Sequence, residues 1–306
     1  MKAARLLAAI GAASLVATAT GAQAPTGDLR LSYRFEAADQ TSPYRLYVPR
    51  TYDGRRALPL LVVLHGGGRD ENADLDRSRL REIAEQRGVI VVVPLGYNRF
   101  GSFGNIYPII GTRRMAETAE SLRAQSGGAS PPPPARRPAE PEPAAQTDDA
   151  GEIAASALVD ARTARLSAED VFNVVAIVRG AYRIDPRRIY MMGNSMGGAG
   201  TLAIAARRPE MFAALSPSGG PVAAWSYPFA RLRNARVPVL FVHGDHDGHS
   251  NASWSRAMLN EARSQGVQAG LLVVPGGDHP DGWTMVLSRT FDFFLAHRRT
   301  QPAPDR

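Results

Sequence analysis

The chain has 306 residues, a formal charge of +7, 44% hydrophobic residues and no cysteine. The missing thiol excludes disulfides, a cysteine nucleophile and cysteine-held zinc, and this length makes one large α/β domain or two small ones. Removing Lys2 and Arg5 lowers +7 to +5, the remaining basic residues are scattered arginines without aromatic interleaving, and nucleic-acid binding is not expected.

In chain order, Lys2 and Arg5 precede the apolar, alanine-rich run Leu6 to Val16 and the small-x-small site Ala22-Gln23-Ala24. That pattern reads as a signal peptide over 1–24, with a mature domain over 25–306 in the periplasm or outside the cell. The apolar run is too short to span a bilayer, and no membrane association of the mature chain is expected. Leu29 to Phe35 and Tyr44 to Val48 are expected to be entry strands. Leu60 to Leu64 and Val89 to Val93 are continuous apolar runs, as in strands buried on both faces of a parallel sheet. Between them, Leu75 to Arg87 carries a helical apolar stripe closed by Gly88.

Residues 113–166 break the alternation with alanine, proline and charge, centred on Pro131 to Pro134. This reads as an insertion, extended and partly disordered at its centre, with possible helices over 113–125 and 151–165. A lid over the site is the functional alternative. The pattern then resumes with a helix over Ala168 to Tyr182, a strand over 188–192 and a helix over Gly198 to Ala206. A strand near Phe212 to Ser216, one at Val239 to Val242, a helix over Trp254 to Gln265, a strand at Leu271 to Val274 and a last helix from Thr284 to Arg298 complete the chain. Strand and helix alternate, which predicts a single α/β domain with a mostly parallel sheet covered on both faces.

Gly193-Asn194-Ser195-Met196-Gly197 lies between a predicted strand and a predicted helix. In that context Gly-x-Ser-x-Gly holds a serine hydroxyl out on a sharp turn, where a base and backbone N–H donors can reach it. His65-Gly66-Gly67-Gly68 follows the Leu60–Leu64 strand. Bare N–H groups of Gly66 or Gly67, with that of Met196, could hold a developing oxyanion, and the bland alternative is an ordinary glycine turn. After Val239–Val242, Asp247 is the preferred carboxylate to orient a histidine, with Asp245 more suited to bonding its own turn. His279 follows the Leu271–Val274 strand, where a general base can reach back to the serine. The chain order Ser195, Asp247, His279 is the order nucleophile, acid, base of the α/β-hydrolases.

Tyr44 to Pro49, Leu60 to Gly68, Ile184 to Tyr190 leading into the serine turn, His243 to Asp247 and Gly276 to His279 resemble one family. The chain looks like a secreted α/β-hydrolase of the esterase group that includes polyhydroxybutyrate depolymerases and feruloyl or acetylxylan esterases. The resemblance implies a Ser195–His279–Asp247 triad, an oxyanion hole from Met196 with Gly66 or Gly67, and cleavage of carboxylic esters, of polymers or their fragments, without metal or organic cofactor. The 113–166 insertion and the Gly96 to Tyr107 loop depart from the family pattern. Prolyl oligopeptidase-type peptidases resemble the same stretches less closely, and a non-catalytic ligand-binding protein of the same fold is a further alternative. A metal site among His243, Asp245, His246, Asp247 and His249 is the rival from different chemistry. Phe100, Phe103, Tyr107, Trp225, Tyr227 and Trp283 are candidates to line a substrate pocket, or ordinary core and loop aromatics.

Overall fold

The computed structural model describes residues 24–107, 109–111, 153–155, 159–220 and 222–304. The expected leader up to residue 23, the helix read over 113–125 and the proline run all lie outside the described residues.

The strands are β1 (Gly27–Phe35), β2 (Gln40–Val48), β3 (Leu58–Leu64), β4 (Ile90–Pro94), β5 (Ile109–Gly111), β6 (Ile153–Ala155), β7 (Ile184–Asn194), β8 (Ala214–Ser218), β9 (Val239–Gly244) and β10 (Ala269–Val274). The helices are α1 (Ala73–Arg77), α2 (Leu80–Arg87), α3 (Ala161–Ala181), α4 (Met196–Arg207), α5 (Phe229–Ala235), α6 (Ala252–Ser264) and α7 (Leu287–Leu295). Eight strands form one sheet in the order β1-β2-β4-β3-β7-β8-β9-β10. Strand β2 runs antiparallel to both neighbours, and the pairs from β4 to β10 are all parallel.

The apolar runs divide by parity. Leu60, Val62 and Leu64 of β3 join Ile90, Val92, Ile189 and Met191 in one core, with Val171 and Val174 of α3, Leu202 of α4 and Met258 of α6. Leu61 and Val63 join Val91, Val93, Tyr190 and Met192 in a second core, beneath Leu80 and Ile83 of α2 and Phe291 and Phe294 of α7. Successive strand side chains point to opposite faces, so one unbroken hydrophobic segment serves both helical layers.

The chain passes from β3 outward to β4, then crosses back to place β7 on the other side of β3. Strand order therefore reverses at the β3/β7 boundary, and loops leaving the two carboxyl ends there diverge to open a crevice. The serine turn and the His65–Gly68 loop both sit at that boundary.

Several boundaries differ from the sequence reading. The segment read as one helix over Leu75–Arg87 is two, because Ser78 takes an extended conformation after α1. Its hydroxyl reaches the Asp74 carbonyl and accepts from the Leu80 N–H, which supports the break. Helix α3 starts at Ala161, with Asp160 capping the Thr163 N–H, so residues expected to close the insertion belong to this helix. Residues 153–155, read as helical, pair instead as a strand with Ile109–Gly111. The last helix starts at Leu287 after a 3-10 turn over Gly282–Val286, and α5 has no counterpart in the reading. Among the described residues no helix is long and apolar enough to cross a membrane.

Two buried polar side chains fasten the frame. Arg45 on β2 is inside the protein against Asp28 and Asp76, 2.6 and 2.8 Å away, and its hydrogen bond holds the Asp28 carboxyl down to about 2. Asp170 on α3 accepts from Tyr33 Oη at 2.8 Å, Ser42 Oγ at 2.6 Å and the Gly96 N–H at 2.8 Å. The last bond pins the start of the loop after β4. Asp170→Ala leaves three buried donors without their acceptor, and urea unfolding is expected to show a loss of about 3 kcal/mol.

Candidate active site

Ser195 joins the end of β7 to the start of α4 with φ 57° and ψ −119°. A non-glycine residue there is strained by roughly 1–3 kcal/mol, and such strain is held only where the surroundings enforce it. Here they do. The Ser195 N–H donates to Ser218 O at 2.8 Å, and the turn is pressed against neighbouring backbone. A Cβ on Gly193 would lie 2.4 Å from Gly197 O, and one on Gly197 would lie 1.9 Å from Leu64 O. Only glycine allows that approach.

His279 Nε2 stands 2.8 Å from Ser195 Oγ, and His279 Nδ1 stands 2.8 Å from Asp247 Oδ2. The three side chains come from the loops after β7, β10 and β9 and form one hydrogen-bonded relay. The Asp247 side chain is 1% exposed and that of His279 is 11% exposed, so the acid is sealed in and the base opens to the cleft. Burial pushes the Asp247 carboxyl up, but the hydrogen bond and charge of His279 and the N–H groups of Ser250 and His249 outweigh it. The net direction is below the ordinary carboxylate value, and Asp247 stays anionic at neutral pH.

The glycine loop lies against the nucleophile. A methyl on Gly66 would sit 3.8 Å from Ser195 Cβ, and one on Gly67 would sit 3.8 Å from Met196 Cβ. Gly66 and Gly67 therefore lie directly against Ser195 and Met196 at the start of α4. Buried His65 holds the loop, its ring nitrogens 2.9 Å from Gly66 O and from Leu95 O. The Gly68 N–H donates to Arg99 O at 3.0 Å, tying the loop to the segment that Asp170 anchors.

Sequence reasoning overlooked several supporting residues. Asn194 Nδ2 donates to His279 O at 3.0 Å, fixing the backbone of the base from the residue before the nucleophile. Ser250 donates its N–H to Asp247 Oδ1 at 2.9 Å and its hydroxyl to Oδ2 at 3.1 Å. His249 stacks on His279 with ring centroids 4.6 Å apart. Asn194 could have been found as the variable residue inside Gly-x-Ser-x-Gly. His249 enters the sequence reading only as a metal-ligand candidate, and Ser250 carries no sequence signal beyond nearness to Asp247.

Asp245, the alternative acid, is exposed and accepts from the Gly276 N–H at 2.7 Å, bracing the acid loop against the histidine loop. The five-residue metal set does not converge. His243 is buried with Nδ1 on Ser255 Oγ at 2.6 Å and Nε2 at Ser250 O, 3.2 Å away, and burial pushes its pKa down. Among the described residues, donor atoms of Asp247, His249 and His279 lie within 4.8 Å of one another. Two of these three form the relay itself, with His279 already hydrogen-bonded to Ser195 and Asp247.

Of the six aromatics considered as pocket lining, Phe103, Tyr227 and Trp283 are core residues. Phe103 packs on the His65 ring, with centroids 5.0 Å apart. Trp225, on the segment after β8, is 65% exposed. Phe100 and Tyr107 are half-buried.

One further charged group borders the site. Asp74 on α1 is buried, and neither carboxylate oxygen has a hydrogen-bond partner among the described residues. Arg69, directly after the glycine loop, stands 3.6 Å away. Burial raises the Asp74 carboxyl to about 7, with Arg69 pulling it down and Asp281 pushing it up.

The overall arrangement matches solved structures. A thermostable esterase superposes with a TM-score of 0.60 at 20% identity, over 89% of this chain and 63% of that one. FphF, a fluorophosphonate-binding serine hydrolase of Staphylococcus aureus, superposes with a TM-score of 0.60 at 14% identity, over 89% of this chain and 99% of that one. The chain has the α/β-hydrolase fold. In sequence, a family model described as PETase, PET hydrolase-like, matches residues 161–281, from the start of α3 to just past His279. The putative esterase NocK of Nocardia uniformis subsp. tsuyamanensis is 29% identical over 215 residues, 69% of this chain and 46% of that protein. Cutinase 2 of Thermobifida cellulosilytica is 40% identical over 65 residues, 21% of this chain and 22% of that protein. The chain thus spans less than half the length of these curated relatives. The α/β-hydrolase sheet accounts for the meeting of the three loops, since each leaves a strand at its carboxyl end.

Two outcomes follow. Asp247→Asn is expected to slow labelling of Ser195 by a fluorophosphonate about 10⁴-fold, because an amide neither fixes the imidazole tautomer nor stabilises its charge. Asp74 binds its proton more tightly folded, at about 7, than unfolded. Its contribution to stability is therefore present below about pH 4 and lost as pH rises through about 7. Urea midpoints of Asp74→Asn relative to the native chain are expected to rise between pH 5 and pH 8.

Proposed function

We infer that this chain is a serine hydrolase that cleaves carboxylic esters through an acyl-enzyme. The relay of 2.8 Å contacts from Ser195 Oγ through His279 to a buried Asp247 carries this reading. A serine hydroxyl is a weak nucleophile until a base takes its proton as it attacks. His279 Nε2 is the base in range, and Asp247 holds Nδ1–H toward itself so that Nε2 keeps its lone pair for the serine proton.

The steps follow from that geometry. Ser195 Oγ attacks the ester carbonyl carbon, its proton moves to His279 Nε2, and negative charge collects on the carbonyl oxygen. N–H groups of Met196 with Gly66 or Gly67 receive that oxygen, each such donor being worth about 3 kcal/mol in the transition state. Collapse expels the alcohol, which takes the proton from His279. Water then gives a proton to His279 Nε2 and attacks the acyl carbon; the acyl–oxygen bond to Ser195 breaks, His279 returns the proton to Ser195 Oγ, and the acid leaves.

Within this class, esters from polymers are the favoured substrates: polyester, feruloyl or acetyl sugar esters. Support comes from the PET hydrolase-like match over 161–281 and from a ferulic acid esterase of the same fold with a TM-score of 0.57. It comes also from 23% identity over 208 residues to the bifunctional acetylxylan esterase/xylanase XynS20E of Neocallimastix patriciarum. Export to the periplasm or beyond fits large substrates that do not enter a cell, and the basic start followed by Leu6 to Val16 supports it.

A panel of p-nitrophenyl esters, feruloyl and acetyl sugars and short polyester fragments tests the assignment. The purified chain is expected to hydrolyse at least one short acyl ester unaffected by chelators, and Ser195→Ala to lose at least about 10⁴-fold in kcat. An active Ser195→Ala protein would defeat the mechanism. A folded native chain inert toward every ester would favour a ligand-binding role.

A further inference from the structure

Arg69 is the first side chain after the glycine loop. A methyl placed on Gly66 would touch both Arg69 Cδ and Ser195 Cβ, each at 3.8 Å. The arginine stem therefore runs along the same loop that faces the nucleophile. Its side chain is 21% exposed, open at one edge and enclosed at the other.

A guanidinium carries five N–H donors in a planar fork, shaped for two oxygens at once. Several other arginines of the protein have their donors engaged at shorter range. Arg45 and Arg188 bind carboxylates at 2.6–2.7 Å, and Arg299 and Arg179 bind carbonyls at 2.6–3.4 Å. Among the described residues Arg69 Nη1 stands 3.6 Å from Asp74 Oδ1, a looser ion pair than those. Asp74 is itself buried without a hydrogen-bonded partner. Arg77 and Asp281, 3.7 Å apart, close the cluster on the side of the histidine loop. The pairing engages one edge of the Arg69 fork and leaves its other donors without a bond among the described residues.

We propose that Arg69 is a specificity-determining residue that binds an anionic group of the substrate, selecting esters that bear a carboxylate near the scissile bond. The inference rests on the ester-hydrolase reading above and names a class within it: half-esters of dicarboxylic acids, the species left when one end of a diester unit has been cut. Such a carboxylate receives the unused donors, and Asp74 behind keeps the guanidinium from swinging into solvent. Loss of a charge-assisted pair at a partly enclosed site costs about tenfold or more in selectivity.

The experiment compares monoethyl adipate with diethyl adipate at pH 8, where the free carboxyl is ionised, as a ratio of kcat/KM values. Arg69→Gln is expected to lower the monoester-to-diester ratio at least about tenfold, and Arg69→Lys to give an intermediate ratio. The native ratio is expected to fall when sodium chloride is raised from about 20 mM to about 0.5 M, as screening weakens the ionic contact. Free adipate should compete with diethyl adipate for the native enzyme and do so less well for Arg69→Gln. A folded Arg69→Gln protein with the native ratio overturns the proposal. Should that variant not fold, a native ratio that ignores salt, together with no competition by adipate, overturns it as well. Cleavage of the diester without any of these effects defeats the arginine assignment alone, whereas a native protein that cleaves neither ester defeats the hydrolase reading and this one with it.

Discussion

The structure depends on a backbone contact where no side chain fits. Gly197 at the start of α4 meets the end of β3 so closely that a methyl would stand 1.9 Å from Leu64 O. This contact brings the serine turn up against the strand whose next residues are the glycine loop. The serine turn and the glycine loop are thereby positioned by two adjacent strands of one sheet. The left-handed backbone of Ser195 is the strained product of that contact. Packing on both faces of β3 and β7 supplies the rigidity to hold it.

The remaining two members of the relay are held by cross-bracing between loops. Asp245 accepts from Gly276, so the acid loop and the histidine loop move together. Asn194 ties the histidine backbone to the residue before the nucleophile. Asp247 receives N–H groups from His249 and Ser250 as well as the imidazole, which fixes its orientation at the cost of burying a charge. A buried carboxylate that stays ionised needs these donors, because burial alone would favour its neutral form.

The sheet was legible because continuous apolar runs such as Leu60–Leu64 and Val89–Val93 can be satisfied only when both faces are covered. Ser195, Asp247 and His279 were legible because each stands just past such a run. Features set by tertiary contact were not. The break at Ser78 depends on one hydroxyl turned back on Asp74, and the strand at Ile153–Ala155 exists through its partner Ile109–Gly111. Helix α5 is short, follows a glycine- and proline-containing stretch and leads within a few residues into β9, too short a span for a helical period to show. The aromatics stay open between pocket and core in the sequence, because burial is decided by packing; the rings of Phe103 and Tyr227 fill the core.

The small antiparallel pair β5 and β6 has a meaning for how this chain tolerates change. Gly111 and Ile153 are register partners, so their Cα atoms lie about 5 Å apart. Whatever length of chain departs after one and returns before the other, its two anchorages on the domain stay where they are. The span between them can be shortened, extended or exchanged for a foreign module without dragging on the sheet, which makes this doorway the natural grafting point of the molecule.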